Sequence, residues 1–398
     1  MGLEASLLMK STRAKHLILL LSGPFVVYAV LGGFLGNAIA RDSAYRYLSV
    51  FQDVVTLIMN NYVDQVQMDS VLEGGIRGMM DALDPDSAYL SPEEFAAFQH
   101  PQEGISGIGV EVTKRYYLQV VGVLPESAAD KAGLRAGDLL KSVGGINTRE
   151  VSTLIGESLL RGEQGTSVDL EVIRGRQADP IAITVERATY SSDPVAYKML
   201  TGTIGYIRVA AFQAGSGERV ARAVQSARNA GATELVLDVR NSFGRMAGEG
   251  AEVAGLFVSG GVAAILQNRK GDNTDLEIES GRVVFDGPMT LLVNRGTSGA
   301  AEILGSAFQH AKRGELVGER TAGRGGVQKA IPLKDGSGLI LSVSQYSTPA
   351  NEPLLGTGLE PTIEVEGASA SQSESGDGDP TLEKAIEILS AEQSKAAA

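Results

Sequence analysis

The sequence predicts an α/β fold built on a largely parallel sheet, and three observations carry that prediction. From residue 180 onward apolar strands alternate with helical segments: IGYIRV, GERVARAVQSARNAG, ELVLDVR, GEGAEVAGLFV, PMTLLVN, residues 300–312 and ELVGE. Two longer strands, VQKAIPL and LILSVSQYSTP, follow. Ahead of that core, residues 103–178 change character to short strands, GIGVEV, YLQVVGV and VDLEVIR, which reads as a small inserted domain. Finally, 49 glycines in 398 residues call for many tight turns and close backbone approaches.

The elements follow in order. Residues 1–41 form a short basic stub and an apolar run. Lys10, Arg13 and Lys15 precede residues 17–40, which at the rise of a helix span roughly 36 Å, enough for a ~30 Å hydrocarbon core. The flanking positive charge keeps the N-terminus in the cytoplasm and sends the remainder outside. Ala38-Ile39-Ala40 fits a signal-peptidase site, but the run is long for a signal peptide, which favours an uncleaved anchor. The expected location is the cytoplasmic membrane, with the bulk of the chain periplasmic. Residues 42–102 read as helical: SVFQDVVTLIMNNYV has helical apolar spacing, and SVLEGGIRGMMDAL ends at Asp84-Pro85. Ser91-Pro92-Glu93-Glu94 opens a third helix, with Ser as N-cap and acids in the first turn. The core is placed at 179–366. Residues 367–380 are a low-complexity linker, and residues 381–398 a final amphipathic helix that docks back on the core.

Composition excludes several function classes. Acidic residues outnumber basic ones 48 to 35, for a net charge of −13, and no basic cluster follows the first 15 residues. Nucleic acid is therefore not an expected partner. The absence of Cys removes thiol catalysis and Cys-based zinc sites, and three His make a multi-His metal site improbable. No metal and no cofactor are expected.

Gly107-Ile108-Gly109-Val110 forms a Gly-rich loop that runs into a strand. Such a loop exposes consecutive backbone N–H groups that can hold a peptide carboxylate while the peptide joins the sheet edge. Alone it is weak evidence and reads first as a hairpin turn. The ladder that follows, PESAAD, AGL and AGD within residues 125–138, resembles a PDZ domain of the protease-associated kind.

LDPDSAYLSPEEFAAFQ (83–99), IGYIRVAAF (204–212), ELVLDVRNSFG (234–244), VNRGTSGAAEILGSAFQ (293–309), GERTAGRGGVQ (318–328) and YSTPANEPLLGTGLEPTIEV (346–365) each resemble a block of the C-terminal processing peptidases, or tail-specific proteases, in the family's order. The resemblance implies a tail-specific-protease α/β core with an inserted PDZ domain. It also implies a serine endopeptidase with a Ser/Lys dyad, in which Ser attacks the scissile carbonyl, a neutral Lys takes its proton and a Gln orients the Lys. Backbone N–H groups hold the oxyanion, and the PDZ domain captures substrate C-termini.

Carried over residue by residue, that pattern is broken where the chemistry sits. The nucleophile block, usually G-S-A-S-A-S-E, is Gly296-Thr297-Ser298-Gly299-Ala300-Ala301-Glu302, so the nucleophile position is Gly299. The base block, usually T-F-G-K-G-x-V-Q, places Arg324 at the Lys position and retains Gln328. The oxyanion turn, usually N-P-G-G, is Ser242-Phe243-Gly244-Arg245, so the expected oxyanion donors are Gly244 and Ala300. Glycine cannot form an acyl-enzyme, and arginine is not deprotonated in proteins. The reading is a membrane-anchored family member with a degenerate proteolytic site that binds C-terminal tails. Arg324 and Arg245 are candidates to hold a peptide carboxylate or carbonyl. One alternative is an active enzyme with a relocated nucleophile, Ser298 or Thr297. On the turn the Ser298 hydroxyl is expected to miss the site, Lys329 to face away, and His310 to be a surface or packing residue. The other alternative is a structural scaffold. The helical region and the C-terminal helix are candidate dimerisation elements, as in relatives of the family.

Overall fold

A computed structural model describes residues 47–100, 105–175, 179–189, 193–365 and 378–396. The expected membrane segment, residues 17–40, lies outside them. Among the described residues no helix is long and apolar enough to cross a membrane. The described residues divide into two compact units, one up to Ile76 and one from Arg77 onward.

In the first unit the chain is helical over 47–61. A second helix, Met68–Asp81, begins there, and the Phe51 ring lies over Gly75. Leu48, Val50, Val54 and Leu57 are exposed on the first helix.

The second unit holds three sheets of consequence. The central one has six strands: Val195–Met199, Ile204–Val209, Glu234–Asp238, Met289–Val293, Glu315–Gly318 and Ile363–Glu364. The first pairs antiparallel with its neighbour and the rest run parallel, as the β/α alternation requires. Strands Glu234–Asp238 and Met289–Val293 are buried along their whole length, which is why their centres, Leu235-Val236-Leu237 and Leu291-Leu292-Val293, are apolar without alternation. Helices Ser216–Asn229, Ala247–Ala254 and Ala300–His310 help cover one face. The C-terminal helix Pro380–Ala396 covers the other, burying Ala385 and Leu389 with Val236, Leu292 and Val317. Its docking is charged as well. Arg240, 5% exposed, makes a fork to Asp238 (2.6 Å) and to Asp379 (2.8 Å), and Asp238 also accepts from the Tyr206 hydroxyl at 2.6 Å.

A second, antiparallel sheet joins Ala88–Leu90, Gly338–Ser347, Gly261–Asn268, Asn273–Ile278 and Gly326–Pro332. Its strand Ala88–Leu90 falls inside the region expected to be helical throughout. Three residues are too short for a periodicity signal, and long-range pairing decides them. The helix expected after it is present as Pro92–Gln99, closed by a capping box between Ser91 and Glu94.

The small sheet has the order Val110–Lys114, Leu118–Val123, Leu139–Val143, Ser167–Ile173, Ile181–Glu186. Its last strand lies beyond the boundary expected at residue 178, because IAITVE completes a hairpin with Ser167–Ile173. Val110–Lys114 is an edge strand, and helix Thr153–Leu160 packs against it.

Candidate functional site

The turn between strand Met289–Val293 and helix Ala300–His310 is fixed from three sides. Thr297 is fully buried, and its hydroxyl donates to the Val239 carbonyl at 2.8 Å. Ser298 N–H donates to Ser242 O, and Ala322 N–H to Thr297 O. Glu302, fully buried in the first helical turn, accepts from Thr321 Oγ1 at 2.5 Å and from the amides of Gly323 (2.7 Å), Arg324 (2.8 Å) and Gly299 (3.0 Å). Burial pushes its pKa up, and these four donors hold it back. Glu302 therefore clips the turn carrying Gly299 to the segment carrying Arg324.

At Gly299 the backbone has φ +61° and ψ −118°, a conformation side chains rarely adopt. A Cβ there would lie 2.2 Å from the Gly244 carbonyl oxygen. That carbonyl accepts from Ala300 N–H at 2.8 Å. This corrects the expectation that the Ala300 amide stands ready as an oxyanion donor, because the Gly244 carbonyl already takes it. Among the described residues the Gly244 amide, the other expected donor, donates to no protein group.

Arg324 does not reach for a ligand either. Its guanidinium pairs with Asp86 at 2.6 Å and Glu111 at 3.0 Å, and it also donates to the Val112 carbonyl at 3.3 Å. Burial opposes its charge, but Asp86 and Glu111 more than reverse this, so its pKa is raised above the ordinary arginine value. It carries a fixed positive charge where a dyad needs a neutral base. Arg245, 59% exposed, pairs with Glu157 and lies 3.8 Å from Glu111. Both arginines, expected as candidates for a peptide group, are thus paired to the chain's own carboxylates. Burial, followed by the nearby Glu111, pushes the Glu157 carboxyl up from 4.5 to about 7.

Gln328 donates to Ser342 Oγ at 3.1 Å, and that hydroxyl in turn donates to Asp84. Orienting Arg324 is therefore left to the two carboxylates. Arg324 precedes strand Gly326–Pro332, which carries a bulge between Val327 and Gln328, so simple alternation does not set the direction of Lys329; it is exposed. His310 is exposed too. The Ser298 hydroxyl is buried and leans on the Ser242 carbonyl at 3.4 Å.

Gly299, Ser298, Ala300, Gly244, Arg324 and Gln328 line one cavity of about 330 Å³. Arg245, Asp86, Glu111, Thr153, Leu154 and Tyr346 also line it, and no lysine does among the described residues. Gly107, Ile108, Gly109 and Val110 stand outside that lining. Gly109 has φ +87°, and the carbonyls of Gly107, Ile108 and Gly109 accept from Ala188, Ala129 and Leu124. Among the described residues the amides of Gly107, Ile108 and Gly109 donate to no protein group. Sequence reasoning missed Asp86, Glu111, Glu157 and Glu302. The available signal was a carboxylate inside each of two apolar elements, GIGVEV and TLIGESLL, facing two unexplained arginines. Among the described residues no group of acidic or His side chains is arranged to hold a metal.

Comparison with known proteins agrees with this architecture. Residues 203–365 match the model of peptidase family S41, residues 119–174 that of a PDZ domain, and residues 36–94 that of the activating protease CtpB N-terminal domain. The chain is 31% identical to a carboxyl-terminal-processing protease of Synechocystis sp. over 73% of this chain and 70% of the relative. It is 29% identical to the carboxy-terminal processing protease CtpA of Bacillus subtilis over 78% and 67%. Among solved structures it resembles the photosystem II D1 C-terminal processing protease, with a TM-score of 0.65, 28% identity and coverage of 79% and 86%. With a parallel core, an inserted PDZ domain and identity of this extent, the chain belongs to peptidase family S41, the family of the carboxyl-terminal-processing proteases.

Proposed function

We propose that this chain is an exported, membrane-anchored member of the family that captures protein C-termini through its PDZ domain and does not hydrolyse them. One observation carries the loss of hydrolysis: at the nucleophile turn Gly299 offers no side chain, and the Gly244 carbonyl occupies the space one would need. The position of the base holds an ion-paired arginine. Capture is supported by the unengaged amides of the Gly107–Gly109 loop beside an edge strand. Export and anchoring rest on residues 17–40, with the basic residues before them. Pairing of two copies through the helical region is a further part of the reading, supported by the exposed Leu48, Val50, Val54 and Leu57.

The whole chain is incubated with an unstructured protein and with a fluorophosphonate probe. Neither cleavage nor labelling is expected, and Ser298→Ala behaves as the parent. Cleavage that disappears in Ser298→Ala would overturn the non-hydrolytic reading in favour of a relocated nucleophile. Peptide titrations are expected to show binding of free C-termini and none of amidated ones.

A further inference from the structure

The edge of the small sheet is closed by the chain itself. Strand addition at Val110–Lys114 needs the outward carbonyls and amides of that strand. Two of them are taken: Val112 O accepts from Arg324 Nη1 at 3.3 Å, and Lys114 N–H donates to Thr153 Oγ1 at 3.0 Å. The walls of the groove are closed as well. Glu111 stands on the edge strand and Glu157 on the helix packed against it, 15% and 9% exposed at their side chains. The guanidinium of Arg245 lies between them, while Arg324 holds Glu111 from its other side at 3.0 Å. Arg245 comes from a different part of the fold, the turn Ser242–Arg245, and its side chain is 59% exposed.

Two largely buried carboxylates facing a groove are a poor fit for an apolar or acidic occupant. Without a cation beside it, Glu157 is desolvated and next to a like charge. Arg324 already balances Glu111, and in the ligand-free chain Arg245 supplies the positive group beside Glu157. We propose that Arg245 is a built-in stand-in for a ligand side chain, and that the groove takes C-terminal tails with an arginine or lysine near the terminus, which displaces Arg245 from Glu157 and Glu111. Arginine is the better match, because its planar fork reaches both carboxylates at once. The tail's backbone N–H replaces Arg324 at Val112 O, and its C=O replaces Thr153 at Lys114 N–H. Arg324 keeps its pairing with Asp86, and Arg245, already mostly exposed, turns to solvent at little cost. The inference rests on the tail-binding reading and adds the chemistry of the tail.

The test is fluorescence anisotropy on the whole chain with short labelled tails ending in a free carboxylate. The tails are identical except for one position near the terminus that is Arg, norleucine or Glu. Arg tails are expected to bind roughly tenfold tighter than norleucine tails, and Glu tails weakest. Glu157→Gln, which keeps the shape of the side chain, is expected to erase that preference. Arg245→Ala is expected to tighten Arg tails several-fold without tightening Glu tails, whereas Arg245→Lys stays close to the parent. If free tails bind but ignore the Arg position, and Arg245→Ala changes nothing, the stand-in role is refuted while tail binding stands. If no tail binds either the parent or Arg245→Ala, the tail-binding reading falls and takes this inference with it.

Discussion

Gly299→Ser restores the family's nucleophile on paper, and the structure predicts that it damages the protein instead. The position has φ +61°, where a non-glycine residue costs roughly 1–3 kcal/mol. The new Cβ would sit 2.2 Å from Gly244 O, far inside ordinary contact. Either the site is overpacked, at roughly 1–3 kcal/mol, or the Gly244 carbonyl swings out and Ala300 N–H loses its acceptor, at a similar cost. The two routes are alternatives, so the total is about 2–6 kcal/mol. For a core of this size that corresponds to a fall in Tm of roughly 4–24 °C. Differential scanning calorimetry of the whole chain reads it directly, with Ser298→Ala, which removes only a 3.4 Å contact, expected within about 1 kcal/mol of the parent. Gly299→Ser should also stay unlabelled by fluorophosphonate, because Arg324 cannot take the serine proton. A Gly299→Ser variant that melts with the parent would refute the packing of Gly244 O against residue 299, and one that is readily labelled would refute the claim that the base is missing.

Three further outcomes are expected. Glu302→Gln puts an amide before donors that need an acceptor; it should cost about 2–4 kcal/mol, read as a lowered Tm, and near-parental stability would show that the clip is not needed. Glu157 has a folded-state pKa of about 7 against an ordinary 4.5, so the folded chain binds the proton more tightly than the unfolded one. Its contribution to stability is therefore fully present below about 4.5 and is lost as pH rises toward 7, by at most on the order of 3 kcal/mol. A pH series of Tm should lose that component in Glu157→Gln, and parallel curves would contradict the raised pKa. Arg240→Ala leaves Asp238 buried without its partner, at about 3–5 kcal/mol, whereas Asp379→Asn costs less because Asp238 still pairs with Arg240. Limited proteolysis should release the C-terminal helix in both, sooner in Arg240→Ala.

Long periodic elements were legible because their burial is written into local sequence. Buried strands such as Glu234–Asp238 carry a central apolar run, Leu235-Val236-Leu237, and helix Pro92–Gln99 opens where Ser91-Pro92 placed it. Ala88–Leu90 was not legible, because a three-residue strand exists only through its pairing with residues 338–340. The strand at 181–186 escaped for a related reason: the register of a hairpin depends on its partner. At the site, the identity of residues 299 and 324 could be read from motif spacing. The orientation of the Gly244 peptide could not, since a carbonyl and an amide at one position share one sequence. Nor could the partners of Arg324, because Asp86 and Glu111 lie 238 and 213 residues away.

The three departures from the family pattern are physically linked. Removing the side chain at 299 opens a space, and the Gly244 carbonyl fills it, which satisfies the Ala300 amide. An arginine at 324 would be a buried charge without a partner, and it meets Asp86 and Glu111. A cation at 245 would only crowd an oxyanion turn, yet here it balances Glu157, whose burial needs a counter-charge. Loss without selection leaves unpaired donors and empty space, since each substitution is fixed independently of its surroundings. Under the proposed function, local contacts of this kind at residues 299, 324 and 245 are what a retained, different use would produce. The arginines also share Glu111, so Arg324 and Arg245 tie the PDZ edge strand to the turn Ser242–Arg245 and to the segment before Gly326–Pro332 through one carboxylate. Under the proposed function, a tail entering the groove competes with the arginines that stand at the family's base position and oxyanion turn, so tail binding and the state of that site are coupled.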